Sequence, residues 1–235
     1  MPYRRLPKTD KSRLAALKTL LDNNNIYTVR DRFIDWKDIN MARTCYDRLL
    51  TLVNQYDMDK QAQSRGRLRL NPLQRNATMY LSHFMQVFKM CVERGEIKKQ
   101  LISLYSLPAD LTVLPVVQQA GQILEWGPKL VAGEKERIKR GGRPIYNPSV
   151  GMVSTHLDIF IEAYERHQAI LVRTRDLEQQ LKNMRPSVDE VIMRLWNQIE
   201  DHFRGGRVID RMEECAKFGV KYYYRKGEKE GGTEQ

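Results

Sequence analysis

Cysteine, histidine and long apolar runs are scarce in this chain, and each shortage argues against a class of protein. Of 235 residues, three are cysteine and four are histidine. Because Cys45, Cys91 and Cys215 are far apart, we expect buried thiols in a reducing compartment rather than disulfides or a Cys-x-x-Cys site. No stretch approaches about 18 uninterrupted apolar residues, and no apolar run follows the basic N-terminus. We therefore predict a cytoplasmic protein with no membrane span and no secretory signal.

The motifs that mark common catalytic and cofactor sites are also missing. A di-iron site in a helical bundle needs a glutamate three residues before a histidine, because this spacing puts both ligands on one helix face. The residues three before the histidines are instead Tyr80 (before His83), Val153 (before His156), Tyr164 (before His167) and Ile199 (before His202). His-Glu-x-x-His, Gly-x-Ser-x-Gly and Gly-x-x-x-x-Gly-Lys are absent as well. We predict no metal, no cofactor and no catalytic residue, and we lean away from an enzyme.

What the chain has in excess is positive charge, and the excess lies in its first part. The formal net charge is +11. Residues 1–140 carry 25 Lys and Arg against 14 Asp and Glu, whereas residues 141–235 carry 15 of each. The candidate nucleic-acid contacts lie in the N-terminal segment and in two arginine-rich turns, and are Arg4, Arg5, Arg65, Arg67, Arg69, Arg140 and Arg143. Such a field attracts nucleic acid or an anionic surface, but a solvated basic surface explains it as well, because charge alone specifies no ligand.

Apolar residues recur every three or four positions along most of the chain, which is typical of amphipathic helices. The pattern predicts a short helix near Leu14 to Leu21 and longer helices over 35–63, 72–95, 115–139, 147–184 and 187–203. Pro128 predicts a kink or a restart in the third of these, because a proline in a helix interior removes a hydrogen bond and clashes with the preceding turn. The fold class is all-α, with an up-and-down four-helix bundle at its centre and additional C-terminal helices.

Two similar stretches predict how these helices connect. RGRLRLNP at 65–72 and RGGRPIYNP at 140–148 each read as a helix end, a basic turn and an Asn-Pro helix start. They define two helical hairpins, 35–95 and 115–184, which are either an internal duplication or a coincidence, since Asn-Pro commonly opens helices. We predict one helical domain over 1–225 and a disordered tail over 226–235.

A site without a familiar motif would lie inside the bundle, and its pocket candidates are His83, His156, Glu125 and Tyr80. Histidines at the rim of an apolar stripe are more often packing residues than catalysts, and Glu125 is equally explained as a solvated helix charge. The tyrosines at 222–224 are either a stacking surface for single-stranded nucleic acid or a C-terminal strand that docks on the bundle. The docking interpretation is favoured.

Three sequence segments together resemble those of a family of bacterial hypothetical proteins of similar length. They are PYRRLPKTDKSRLAALK near the start, RGGRPIYNPS in the centre and FGVKYYYR towards the end. The resemblance implies a bacterial, cytoplasmic protein built as a single unit, and it implies no catalytic residues.

Three functional hypotheses follow. The leading one is a non-enzymatic binding or scaffold protein that acts on a protein or nucleic-acid partner and dimerises through the long helix at 147–184. The second is a nucleic-acid-binding module, which requires the basic segments to form one continuous positive face. The third is an enzyme with an unrecognised site, which requires a deep polar pocket around the candidates named above.

Overall fold

The computed structural model describes residues 3–24, 33–109 and 111–224, and within them the protein is almost entirely helical. In chain order the elements are β1 (Tyr3–Arg4), α1 (Asp10–Asn24), α2 (Trp36–Glu93), a 3₁₀ helix (Lys99–Tyr105), α3 (Ala120–Lys139), α4 (Val150–His202), α5 (Val208–Lys217) and β2 (Tyr222–Tyr223). The all-α class is confirmed. No helix in these ranges is long and apolar enough to cross a membrane. The tail predicted over 226–235 lies outside the described residues.

The contacts of the backbone divide the chain into two compact units. Unit 1 consists of Met1–Asp59 and Thr174–Gln235, and unit 2 consists of Lys60–Arg173. The long helices α2 and α4 each contribute residues to both units. Because helices continue from one unit into the other, the division does not decide whether 1–225 is one domain, and that statement stays a prediction.

The turn predicted over 65–72 is wrong, because α2 runs without a break from Trp36 to Glu93. A proline costs a helix interior about 3 kcal/mol relative to alanine. Leu70 and Leu81, on either side of Pro72, are both buried in the core of unit 2, and burying one leucine contributes about 2 kcal/mol. Gly66 serves close packing rather than a turn, since a Cβ there would lie 2.9 Å from Nδ1 of His167.

The predicted connections between the helices of the four-helix bundle are therefore wrong. The hairpin over 35–95 is a single helix, and the helices predicted over 147–184 and 187–203 are also one helix, α4, with Pro186 inside it. Of the two similar turns that suggested an internal duplication, only the one at 140–148 is present. The duplication therefore stays a prediction. The third predicted helix starts at Ala120 rather than 115, and α3 continues through Pro128 without the restart that its sequence suggested.

In unit 1, a polar network holds α1 against α4. Thr9 caps α1, since the Ser12 amide donates to Thr9 Oγ1 at 3.2 Å. Arg13 donates from Nε and Nη2 to the two carboxylate oxygens of Asp189 at 2.7 and 2.8 Å. Arg185 donates in the same way to Asp10 at 2.9 and 2.8 Å. The buried core beneath this network includes Leu17, Leu20, Leu49, Trp196 and Phe218.

The two short strands close unit 1. β1 and β2 are antiparallel, with Tyr3 opposite Tyr223 and Arg4 opposite Tyr222. The Tyr222 hydroxyl donates to Glu200 Oε1 at 2.7 Å, while Tyr223 and Tyr224 are exposed. The first tyrosine of the cluster thus docks the C-terminal strand, as the sequence favoured.

In unit 2, α3 and the 3₁₀ helix pack in direct backbone contact. A Cβ at Gly133 would lie 2.7 Å from the Leu104 carbonyl oxygen and 2.8 Å from Cγ of Tyr105. Only a glycine on α3 allows this approach. The core around the contact is aromatic and includes Phe84, Phe88, Tyr105 and Phe160.

Candidate functional site

A groove of about 910 Å³ opens in unit 2 where α3 ends and the chain turns towards α4. We call it the turn groove. Its lining combines the end of α2, the residues before and within the 3₁₀ helix, and the stretch from Arg137 to Asn147. The charged residues in the lining are Glu96, Lys98, Arg137, Arg140 and Arg143. The lining therefore has four cations and one carboxylate, and two of the cations, Arg137 and Arg140, are paired with glutamates outside the lining.

The RGGR sequence shapes the turn that forms one wall of the groove. Gly141 adopts φ +87°, a conformation that side chains disfavour. Its amide donates to the Ile138 carbonyl at 2.9 Å, and the Gly142 amide donates to the Arg137 carbonyl at 3.0 Å. A Cβ at Gly142 would lie 2.9 Å from that same carbonyl oxygen. Both glycines are therefore needed to end α3, as the sequence predicted.

A buried ion pair fixes this turn from below. Glu134 is fully buried and Arg137 is 3% exposed. Arg137 Nη2 donates to Glu134 Oε1 at 2.7 Å, and its Nε donates to Oε2 at 2.8 Å. Tyr105 from the 3₁₀ helix donates its hydroxyl to Glu134 Oε2. The carboxylate also accepts the Ile145 amide at 3.0 Å, and Arg137 Nη2 donates to the Arg143 carbonyl at 2.7 Å. Backbone groups of the turn are thus held by the pair directly.

Two groups of this cluster, Tyr105 and Arg137, have raised pKa values. Burial, followed by the hydrogen bond to Glu134, raises the pKa of Tyr105 far above its ordinary value. Burial lowers the pKa of Arg137, but the hydrogen bond to Glu134 and the nearby Tyr105 outweigh it, so the net pKa is raised. The tyrosine therefore stays a donor and the arginine stays charged at every physiological pH. Tyr105 and Arg137 therefore support the groove as a fixed donor and a fixed charge.

Arg137 nevertheless reaches the groove. Two of its three guanidinium nitrogens, Nε and Nη2, are taken up by the cluster. Nη1 donates to none of the described residues, and Arg137 is part of the groove lining. A guanidinium held this rigidly presents a charged donor at little further entropic cost, because its side chain is already ordered.

The rim of the groove is exposed and basic. Arg140 donates from Nε to Glu136 at 2.8 Å, an exposed i,i+4 pair that leaves its outer face free. Lys98 and Arg143 make no ion pair with any described residue. Tyr146 is 80% exposed, so almost all of its ring faces solvent. Cations next to an exposed aromatic ring are typical of surfaces that bind single-stranded nucleic acid.

The sequence identified Arg140 and Arg143 but missed the buried cluster beneath them. Glu134 and Arg137 lie in the charged run GEKERIKR, which looks like a solvated helix end. The buried face of α3 nevertheless passes through Ile123, Gly127 and Leu130, and steps of four and three residues continue it onto Glu134 and Arg137. A carboxylate followed by an arginine on the apolar stripe was the signal that could have found the pair.

The other basic candidates do not join the groove. Arg67 lies 20 positions before Val87, which lines the groove, on the same continuous helix. At 1.5 Å per residue this separates them by about 30 Å. Arg65, Arg67 and Arg69 are exposed on α2 within unit 2. In unit 1, Arg4 donates to Asn197 and Glu200, and Arg5 lines a separate cavity.

The pocket candidates are only partly brought together. The rings of Tyr80 and His156 stack with centroids 4.0 Å apart and planes 14° apart. His83 is exposed on α2, and Glu125 is exposed on α3, where it pairs with Lys129 at 3.0 Å. Tyr80 and His156 thus form a packing contact at the edge of the core, and the deep pocket that the enzyme hypothesis requires is not formed by these residues.

Two further groups bear on the chemistry of the site. Cys91 lines the turn groove, but burial and a hydrogen bond with Glu96 raise the pKa of its thiol, so it is a weak nucleophile. Within residues 3–24, 33–109 and 111–224, no three His, Cys, Asp or Glu side chains are grouped so that they could hold a metal ion.

Comparison with known proteins gives no relative to argue from: no protein-family model, no curated protein and no solved structure matches the chain. The functional argument therefore rests on the geometry of the groove.

Proposed function

We propose that this chain is a non-enzymatic binding protein that holds single-stranded nucleic acid in the turn groove. Lys98, Arg140 and Arg143 contact backbone phosphates, and Arg137 Nη1 provides a charged donor on the buried side of the groove. Tyr146 stacks on an unpaired base. The proposal joins the leading hypothesis, a binding protein, to the second hypothesis, a nucleic-acid partner.

The observation that carries the proposal is the exposed ring of Tyr146 in a groove lined by four cations and one carboxylate. The cations attract any polyanion, but only unpaired bases offer a face on which a tyrosine ring can stack. A duplex keeps its bases stacked on one another, so it would use the charges alone. The proposal therefore expects single strands to bind more tightly than duplexes.

Binding is favoured over catalysis because neither the buried carboxylate beneath the groove nor the thiol in its lining is activated, and the one carboxylate of the lining, Glu96, is exposed beside Arg94. The Glu134 carboxylate accepts from Tyr105, Arg137 and the Ile145 amide, and the Cys91 thiol has a raised pKa. A cytoplasmic location and a homodimer through α4 remain compatible with this function and stay predictions.

The proposal is tested by fluorescence anisotropy with labelled 12-nucleotide single strands of DNA and RNA and with matched duplexes, over a salt series. With three phosphate contacts, the logarithm of the association constant should fall against the logarithm of salt with a slope of about −2 for single strands. Absence of binding to every strand at low salt would refute the proposal.

Two matched pairs of variants locate the contact. Arg140→Gln should weaken binding and reduce the salt slope by about 0.7, the contribution of one phosphate on a single strand. Arg166→Gln is its control, because Arg166 is also an exposed arginine of unit 2 that pairs with a glutamate four residues earlier, Glu162. Equal effects of the two substitutions would mean that net charge rather than the groove attracts the strand.

Tyr146→Ala should lower the affinity for single strands by about tenfold or more, since one base stacked on an aromatic side chain contributes about 1–3 kcal/mol. It should leave the affinity for duplexes nearly unchanged. Tyr224→Ala is the control, because Tyr224 is an exposed tyrosine of the C-terminal cluster in unit 1. A larger loss with Tyr224→Ala would move the stacking surface to that cluster.

A further inference from the structure

The buried side of the turn groove offers one hydrogen-bond donor, Nη1 of Arg137. The residue is 3% exposed, and this nitrogen donates to none of the described residues. Among those residues, the buried side-chain atoms that lack a partner are His167 Nδ1, Trp196 Nε1 and Arg211 Nε, and Arg137 Nη1 is not one of them. Arg137 Nη1 is therefore both unpartnered and open to solvent, in a residue that lines the groove.

The opening over this nitrogen is narrow, and its position is fixed. Gly142 also lines the groove, and a Cβ there would lie 2.7 Å from Arg137 Nη1 and cover it. The other two nitrogens of the guanidinium are held by Glu134, Tyr105 and the Arg143 carbonyl at 2.7 to 2.9 Å. Because the guanidinium cannot turn outward, a ligand has to reach inward to Nη1.

This geometry favours the end of a strand over its interior. An internal phosphate carries a sugar on two of its oxygens, and both sugars hold it away from a nearly buried donor. A terminal phosphate has one ester bond and three free oxygens, so it can enter a narrow opening end-on. It also carries a charge of about −1.5 to −2 at pH 7, more than the single charge of an internal phosphate. A fixed arginine therefore gains more from a terminal phosphate than from an internal one.

The stacking ring is close enough to serve the same end of the strand. The Arg143 carbonyl accepts from Arg137 at 2.7 Å, and Tyr146 is three residues further along the chain. Three residues of backbone span at most about 11 Å. Stacked nucleotides follow one another at about 3.4 Å, so this is the length of roughly three of them. A phosphate at Arg137 and a base on Tyr146 can therefore belong to neighbouring nucleotides of one strand.

From these observations we propose that the turn groove recognises the phosphorylated end of a single strand, with Arg137 Nη1 donating to the terminal phosphate. This inference rests on the proposed function and narrows its ligand. Lys98 and Arg143 neutralise the phosphates that follow in the strand. The terminal phosphate is at either the 5′ or the 3′ end, and both present the same group of three free oxygens.

The test is a competition against the labelled single strand already used to measure binding to the full chain. The unlabelled competitors are hexanucleotides of one sequence with a 5′ phosphate, a 3′ phosphate, a methylated 5′ phosphate or no terminal phosphate. A heptanucleotide without a terminal phosphate controls for the added charge. One of the phosphorylated strands should compete about tenfold better than the unmodified strands, because its additional hydrogen bond is charge-assisted. If the 5′ phosphate is the one recognised, its methylation should cancel most of this gain.

The outcomes separate this inference from the proposed function. A gain with only one of the two phosphorylated ends identifies the end that enters the groove. Equal competition by all strands, while the labelled strand still binds, overturns the inference and leaves the proposed function standing. A labelled strand that does not bind at low salt overturns both.

Two variants locate the phosphate within the groove. Glu134→Gln/Arg137→Gln removes both charges of the buried pair, so that neither is left without its counter-charge. It should bring the ratio of the affinities for phosphorylated and unmodified strands close to one. Arg140→Gln removes an exposed charge of the rim and should weaken both strands alike, which leaves the ratio as it is in the wild type.

A ratio that is lost in Arg140→Gln and kept in the double variant would place the phosphate on the rim and contradict the role of Arg137. Circular dichroism checks that the double variant keeps its helices. If it unfolds, the comparison of strands on the wild type decides the question by itself.

Discussion

The ion pairs of the two units differ in how deeply they are buried. In unit 2, Glu134, Arg137 and Tyr105 lie in the interior and satisfy one another, together with backbone groups of the turn. In unit 1, the comparable ion pairs lie at the edge of the core, where Asp189 keeps 37% of its side chain exposed. The difference teaches that a salt bridge can serve two purposes. The buried one fixes the shape of a loop, and the edge one joins two helices.

The largest expected effect separates these two kinds of pair. Glu134→Gln leaves the Arg137 charge buried without its counter-charge, and we expect it to destabilise the fold by about 3–5 kcal/mol in urea denaturation. Asp189→Asn removes a partner that water can replace, and its cost should be about 1 kcal/mol or less.

Glu125→Gln is the control on the same helix, because Glu125 is exposed and pairs only with Lys129. Its effect should be within about 0.5 kcal/mol. If Glu134→Gln were as mild as Glu125→Gln, the buried pair would not be what fixes the turn.

The second prediction concerns the backbone contact that brings Tyr105 to Glu134. Gly133→Ala places a methyl group 2.7 Å from the Leu104 carbonyl oxygen, which cannot rotate away. We expect a loss of about 2 kcal/mol in thermal or urea unfolding, the usual cost of overpacking.

Gly121→Ala, on the same helix, has nothing within 4 Å of the new Cβ. It should raise the stability by up to about 1 kcal/mol, because alanine is the better helix former. Parallel changes at the two glycines would contradict the proposed close packing of α3 against the 3₁₀ helix.

The third prediction tests the prolines, of which one lies inside each long helix. Pro72 belongs to unit 2 and Pro186 to unit 1. Replacing either proline with alanine restores a backbone amide that can donate within the helix, which stabilises the folded state. Part of this stabilisation is lost because the unfolded chain becomes more flexible. We expect a net stabilisation of about 1–2 kcal/mol in each case. Destabilisation by Pro72→Ala would contradict the backbone cost assigned to this proline.

The smallest expected effect is a pH dependence of unit 1. The hydrogen bond from Arg185 lowers the pKa of Asp10 from its ordinary value of 3.8, against the opposing effect of burial, and Arg13 lowers it further. Because the folded pKa is below the unfolded one, this contribution is complete above pH 5 and is lost as the pH falls below about 4.

Comparison of acid unfolding in the wild type and Asp10→Asn checks this effect. The difference in unfolding free energy between the two should shrink as the pH falls from 6 to 3, because the lowered pKa of Asp10 stabilises the fold only while the carboxylate is charged. A difference that does not change with pH would show that the pKa of Asp10 is the same in the folded and unfolded states.

Much of the secondary structure follows from local signals. The cap at Thr9, the helix ends before Gly95 and Gly141 and the short helix at Val208–Lys217 all follow from residues within one or two turns. Local signals failed at Pro72 and Pro186, where strong breakers lie inside helices. They failed again at Glu134, because a charge in a charged run gives no hint that it is buried.

The sequence by itself determined that the protein is helical, that its positive charge is concentrated before residue 141, and that a glycine-rich basic turn follows α3. These properties depend on intrinsic propensities and on composition. Only the tertiary structure decided which breakers end a helix and which charges are buried. A proline costs about 3 kcal/mol, which two buried leucines can offset, so its effect depends on the core that forms around it. The position of Arg137, between a buried carboxylate and an open groove, likewise depends on the core that forms around it.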